Sequence, residues 1–398
     1  MNIAVLYLSL TFVVFIITEI NALASILHIL LNIIFLLFSR RKLQLTSGFW
    51  FIIIYMLISV SLFMVVGNVT REMIFVVHIS LALLSFSVLE ISMVKYLKVI
   101  NITYLVYSVM SLLVYLQIFP PFLGLKYATY NWFVAADTFL PNFVLRFMNY
   151  HTYVGFNGSS SSIDSYSGFM LLINLAFLKK ENKLNILILL LSSAQMLMAT
   201  RMTPIIALLG LMGFLFFSKI NLNTKYIILI TALTSFSFIL FYDKNSDYNT
   251  LFAVTHGRSM LWDRYLQHHL ESSSSLELWF GTRHDFDTIQ IFSNKWLNQP
   301  HSSYIRMFII HGILGYGIIA IFLLRVMNRI KKRSYVAIVL YCVVIAITND
   351  TIFYNNNMIY IYTLLLLYTK SVNESNSIDN NCEFVTEIAS SNSTLNGK

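Results

Sequence analysis

The chain of 398 residues is 57% hydrophobic, only 11% charged and has a mean hydropathy of +0.71, which excludes an ordinary soluble core and places it among polytopic membrane proteins. Much of its formal net charge of +9 lies in short connections between apolar runs, where it sets orientation, so no nucleic-acid partner is implied. Cys342 in an apolar run and Cys382 in a polar tail offer neither a disulfide framework nor a metal-ligand spacing.

A membrane-crossing helix needs about 20 apolar residues. Scanning for such runs predicts an all-α polytopic membrane protein with about twelve transmembrane helices, at 3–18, 21–38, 48–66, 73–94, 99–119, 162–178, 184–200, 204–218, 226–242, 303–325, 334–348 and 353–369. The first run lacks a basic flank and a small-residue cleavage site, so it is expected to be a retained helix. Basic residues segregate to alternate connections at 39–47, 95–98, 179–183, 219–225 and 326–333, which hold, among others, Arg40, Lys95, Lys98, Lys180, Lys225 and Arg333. The positive-inside rule makes that set cytoplasmic. Two long segments, 120–161 and 243–302, then face outward, and both termini face the cytoplasm. Residues 1–369 are thus expected to form one helical bundle, with a first outer loop at 120–161, a large outer loop at 243–302 and a disordered Asn/Ser-rich tail at 370–398. No internal repeat of the carrier type is visible, and polar residues are invested on one membrane face, whereas a transporter works at the midplane.

Aromatic residues in the first outer loop, among them Tyr127, Tyr130, Trp132 and Tyr153, suit either interfacial anchoring or stacking on sugar rings. Between the runs 184–200 and 204–218 lies the tight turn Thr200-Arg201-Met202-Thr203-Pro204, with Pro204 suited to the first position of a new helix. Arg201 there is either a phosphate site beside two hydroxyls and a helix N-terminus, or an arginine snorkelling to lipid headgroups.

The large outer loop opens with a predicted amphipathic helix capped by Thr255 or Gly257. Leu261, Trp262, Tyr265, Leu266 and Leu270 form its apolar stripe, and the Ser272–Ser275 run ends it. Such a helix is expected to lie along the membrane surface. Arg258 and Trp262 share one side near its start, where the helix end favours a phosphate. At the far end of the loop, a helical spacing of about 100° per residue puts His301, Tyr304, Ile305, Phe308, Gly312 and Gly315 on one face. Arg306 falls about 140° from His301, and the glycines admit a closely packed neighbour. Asp285 and Asp287, with His284 and the earlier His268 and His269, are weighed as a divalent-metal cluster against a solvated loop tip. The loop tip is favoured, so no metal or cofactor is expected. His28, His78 and Glu90, each alone in a helix, are expected to be bundle-facing hydrogen-bonding residues.

The order Gly257-Arg258, Trp262, Trp279-Phe280-Gly281, His301-Ser302-Ser303-Tyr304, then Gly312-Ile313-Leu314-Gly315 resembles the superfamily of Wzy-type O-antigen polymerases and O-antigen ligases. These are polyprenyl-pyrophosphate-dependent glycosyltransferases of the GT-C kind. Thr200-Arg201 is similar to the family's Ser-Arg at a helix junction, and Gly155-Phe156 precedes the next helix as in the family. The chain departs from the pattern at His256, where Ser is commoner, at Ser302 in place of Asn, and at Gly281-Thr282-Arg283, which lacks a second glycine. These departures bear on the acceptor pocket and leave the arginine and histidine positions intact. The resemblance implies an undecaprenyl-pyrophosphate-linked glycan donor and acceptor, joined on the periplasmic face of the bacterial inner membrane. On that basis Arg258 and Arg201 hold the pyrophosphate, His301 accepts the proton of the attacking hydroxyl, and Trp262, Tyr304 and Gly257 lie at the substrate. A chain-length regulator in the same membrane is a further expected partner. O-antigen polymerase is the expected activity. An O-antigen ligase transferring glycan to lipid A core shares every motif, and a lipid-linked glycan transporter is the remaining alternative.

Overall fold

The computed structural model describes residues 6, 7, 9, 21–38, 54, 57, 58, 61, 62, 71–88, 92–116, 118–120, 129, 130, 151, 152, 160–177, 183–199, 202–216, 221, 223–235, 258–282, 289–292, 295–297, 301–348 and 358–370. The regular elements among them are α1 (Asn21–Phe38), α2 (Arg71–Val88), α3 (Met93–Tyr115), β1 (Thr129–Tyr130), β2 (His151–Thr152), α4 (Ser160–Ala176), α5 (Lys183–Ala199), α6 (Met202–Phe216) and α7 (Thr224–Thr234). They continue with α8 (Arg258–Ser272), α9 (Ser275–Phe280), β3 (Ile289–Phe292), β4 (Lys295–Leu297), α10 (Ser303–Arg329), α11 (Arg333–Thr348) and α12 (Met358–Lys370). Among the described residues the protein is helical apart from two antiparallel ribbons, β1 with β2 and β3 with β4, which fall in the segments 120–161 and 243–302 expected to be outer loops.

Ten of the predicted apolar runs coincide with helices, and those at 3–18 and 48–66 lie mostly outside the described residues. By length and composition, α3 and α10 are the two helices among the described residues that can cross a membrane. Apolar stretches of 10–17 residues occur in α1, α2, α5, α6, α7 and α11. Several helix boundaries shift by a few residues from expectation, as at the start of α3. Lys95 and Lys98 belong to the first turns of α3 and not to a connection, because extended Ser92 caps that helix by accepting the Lys95 N–H at 3.3 Å.

The central element is α11, which packs against α4, α6, α7, α10 and α12. Its residues from Tyr335 to Val343 are all buried, as suits a segment with no charge after Arg333 and apolar side chains all round. Gly168 of α4 makes room for the Tyr341 ring, whose hydroxyl donates to the Ser165 carbonyl at 2.9 Å. Polar side chains point into the bundle. Asn101 of α3 donates to Asn174 of α4 at 2.7 Å and to Asn185 of α5 at 3.2 Å, and Tyr104, Ser108 and Ser167 gather on Gln195. Large apolar residues, among them Leu190, Ile206, Leu209 and Ile227, are exposed instead. At the opposite end of α10 from His301, the buried Lys225 ammonium donates to the Met327 and Ile330 carbonyls at 2.6 and 2.9 Å. It thereby satisfies helix-end acceptors that have no intrahelical partner.

Candidate functional site

The predicted amphipathic helix exists as α8, and it ends at Ser272 within the serine run expected to stop it. Its stripe faces inward. Leu261, Trp262, Tyr265 and Leu266 form a buried cluster with Ile305, Phe308 and Ile309 of α10. Leu270 departs from the expected stripe and is 43% exposed. Its place near the end of the packed face is taken by His269, which is buried, stands edge-on to Phe308 with centroids 5.5 Å apart, and shares a 2.8 Å hydrogen bond with Ser273. The apolar side expected to rest on a membrane surface is thus packed on α10.

The same serine run starts the next helix. Ser274 accepts the Glu277 N–H while the Glu277 carboxylate accepts the Ser274 N–H, a reciprocal cap that converts the stop of α8 into the start of α9. Gly281 then closes α9 with φ 83°, and the chain docks on α10 where that helix is broken at Gly312, φ 67° and ψ −171°. A break there deprives the Ile309 carbonyl of its usual helical donor, and the Thr282 N–H supplies one at 2.9 Å. The two glycines meet backbone to backbone. A methyl group on Gly281 would overlap Ile310, and one on Gly312 would overlap Gly281 and Trp279. Gly312 was expected, with Gly315, to admit a closely packed helix, and at Gly312 the end of α9 is that neighbour.

His301 is not on the face of α10 that helical spacing suggests, because α10 begins at Ser303 with Ser302 as its extended N-cap. His301 precedes the cap in a left-handed conformation, φ 52°, and is half-buried. Among the described non-glycine residues it is the one with positive φ. Histidine is among the residues that tolerate this region best, and such backbone is held only where its surroundings determine it. Those surroundings are Ser302 and Ser303, both buried, and the Arg306 N–H bonded to the Ser302 carbonyl at 3.0 Å.

Arg258 is the first residue of α8 and is half-buried, one turn before Trp262. Trp262 is buried in the α8–α10 cluster, and Tyr304 is 1% exposed with its hydroxyl donated to the Val343 carbonyl at 2.7 Å. Both side chains, expected at the substrate, are used here for packing that fixes the elements bearing Arg258 and His301. Arg201 and Gly257 lie outside the described residues, as do His284, Asp285, Asp287 and Glu90. His268 is exposed while His269 is buried, so these two imidazoles do not converge on a common point.

The chain matches no family model, no curated protein and no solved structure.

Sequence reasoning missed three features of this region. Arg306, placed away from His301 by helical spacing, is buried in the first turn of α10; its signal is a lone cation early in an apolar helix. His311, next to the Gly312 break, is also buried. Asp164, near the start of α4, is fully buried. Elsewhere, His28 and His78 are not isolated as expected. Their rings stack with centroids 4.7 Å apart, and His78 shares a 2.9 Å hydrogen bond with Tyr362. Both are buried in the bundle, as the sequence suggested, and His78 makes the hydrogen bond expected of such residues.

Proposed function

We propose that the protein is an O-antigen or related surface-polysaccharide polymerase that joins undecaprenyl-pyrophosphate-linked repeat units on the periplasmic face of a bacterial inner membrane. The supporting observation is that His301, in strained backbone, and Arg258, at a helix start, are carried by two elements, α10 and α8, locked together through one buried cluster. A second support is the inside-out distribution of side chains, polar within the bundle and large apolar residues outside it, which suits a hydrocarbon surrounding. The proposal includes about twelve membrane spans with both termini cytoplasmic, of which α3 and α10 meet the length of a full crossing.

In the proposed reaction a sugar hydroxyl of the acceptor attacks the anomeric carbon of the donor glycan. The glycosidic C–O bond forms as the bond from that carbon to the pyrophosphate oxygen breaks, and the electron pair leaves on the phosphate. His301 takes the hydroxyl proton, and Arg258 with Arg201 stabilises the developing charge on undecaprenyl pyrophosphate by paired N–H donors. Direct displacement inverts the anomeric centre. A chain-length regulator in the same membrane is the proposed protein partner.

The test is complementation of a deletion strain with His301→Ala and Arg258→Ala proteins, with membrane levels checked by immunoblot. The expected outcome is core carrying a single repeat unit, the mark of lost polymerisation. Core carrying no repeat unit would assign the ligase activity instead, and full-length polymer from His301→Ala would end the general-base role.

A further inference from the structure

The outer segment holds an apolar surface that α8 does not use. On α9, Leu276 is 65% exposed and Trp279 51% exposed, and residues three apart share one side of a helix. The neighbouring Glu271, Ser272, Ser274 and Ser275 are exposed and polar, so α9 presents one apolar side beside a hydrophilic edge. Its position is fixed, because the Trp279 backbone abuts Gly312 and Thr282 is bonded to Ile309. Immediately past that contact, α10 exposes Ile313 and Leu314. The apolar surface of α9 thus continues directly onto the outside of a helix that is long and apolar enough to cross a membrane.

The two halves of α10 differ in what covers them. From Ser303 to Gly312 all residues but the half-buried Met307 are buried, under α8, α9 and the rest of the bundle. From Ile313 the helix carries exposed apolar side chains, Ile321 among them, and ends beside Arg329, Lys331, Lys332 and Arg333. At about 1.5 Å per residue, the part from Ile313 to Arg329 spans about 25 Å, close to the hydrocarbon thickness of about 30 Å. The basic cluster then sits at the far surface and Gly312 at the near one.

We infer that the outer boundary of the bilayer lies at the level of the Gly312 break, and that α9 rests on it with Leu276 and Trp279 inserted between headgroups and acyl chains. The partner of this surface is the lipid of the membrane that α10 crosses. Tryptophan is enriched at that depth because its ring is apolar and its indole N–H is polar. The contact makes α9 the membrane rest of the outer segment, and α8 is held off the lipid by its packing on α10. The inference needs the membrane location alone and stands apart from the transferase proposal.

The experiment uses the full chain reconstituted in phosphatidylcholine and phosphatidylglycerol vesicles. The protein has five tryptophans, so the emission of Trp279 is obtained as the difference between the wild type and Trp279→Phe, a substitution that keeps an aromatic ring. Lipids brominated near the top of the acyl chain are expected to quench most of that difference emission, and aqueous iodide little of it. Quenching by iodide without quenching by brominated lipid would show a water-facing α9 and overturn the inference. Quenching by neither would show that protein, such as a second copy of the chain, covers α9, and would overturn it equally. Alkaline carbonate extraction of the same vesicles separates these outcomes from loss of the membrane location itself, which would release the whole chain.

Discussion

Replacing Gly312 by alanine tests the joint that holds the end of α9 on α10. The backbone of Gly312, φ 67° and ψ −171°, lies in a region essentially reserved to glycine, and a side chain there costs about 1–3 kcal/mol. The added methyl would also lie 2.5 Å from Gly281 N and from the Trp279 carbonyl carbon and oxygen, all backbone atoms that no rotamer change can move. The end of α9 must therefore back away. Doing so breaks the 2.9 Å bond from the Thr282 N–H to the Ile309 carbonyl, a further loss of about 1 kcal/mol. The sum is about 2–4 kcal/mol. Gly317 provides the control, since nothing lies within 4 Å of its added methyl and it sits in the interior of the same helix. Gly317→Ala is expected to stabilise by about 0.5–1 kcal/mol. The assay is the thermal midpoint of each detergent-solubilised protein by size exclusion, with limited trypsin digestion reporting on the 243–302 segment. Equal midpoints and equal digestion for the two variants would refute the joint.

Three other outcomes follow from the same geometry. His301→Gly removes the left-handed strain and is expected to leave stability unchanged or raised by about 1 kcal/mol while polymer formation is lost, so a melting curve beside a polysaccharide gel separates chemistry from folding. Trp262→Ala empties the centre of the α8–α10 cluster at a cost of about 3–5 kcal/mol, and hydrogen exchange should rise in α8 before it rises in α11. Lys225→Met leaves the buried Met327 and Ile330 carbonyls without their donor, so the midpoint is expected to fall by the equivalent of about 1–3 kcal/mol with the trypsin pattern of 243–302 unchanged.

Much of the fold was legible because each helix announces itself locally. A run of apolar residues, a serine run that can only interrupt a helix, and Pro204 in the first turn of α6 are all readable without knowing any neighbour. The inward stripe of α8 was legible too, but not its target, since an amphipathic periodicity shows that a side will be covered and says nothing of what covers it. The error at His301 had a specific cause. Projecting positions on a continuous helix assumes that the helix has already begun, and the cap at Ser302 places His301 before it. Gly312 was legible in part: it admits a packed neighbour as expected, while its breaking of its own helix has no mark in the chain.

By itself, the sequence determined that the protein is helical and apolar, where most of its helices run and that its polar residues gather in two long segments, 120–161 and 243–302, because hydropathy and capping act over a few neighbouring residues. Tertiary structure alone decided that α8 faces α10, that Gly281 meets Gly312, that His28 stacks on His78 and that Trp279 is left exposed. Each of these joins residues from different elements whose mutual fit depends on shape and on unmet backbone hydrogen bonds. Such quantities exist only once the chain has been brought together in space.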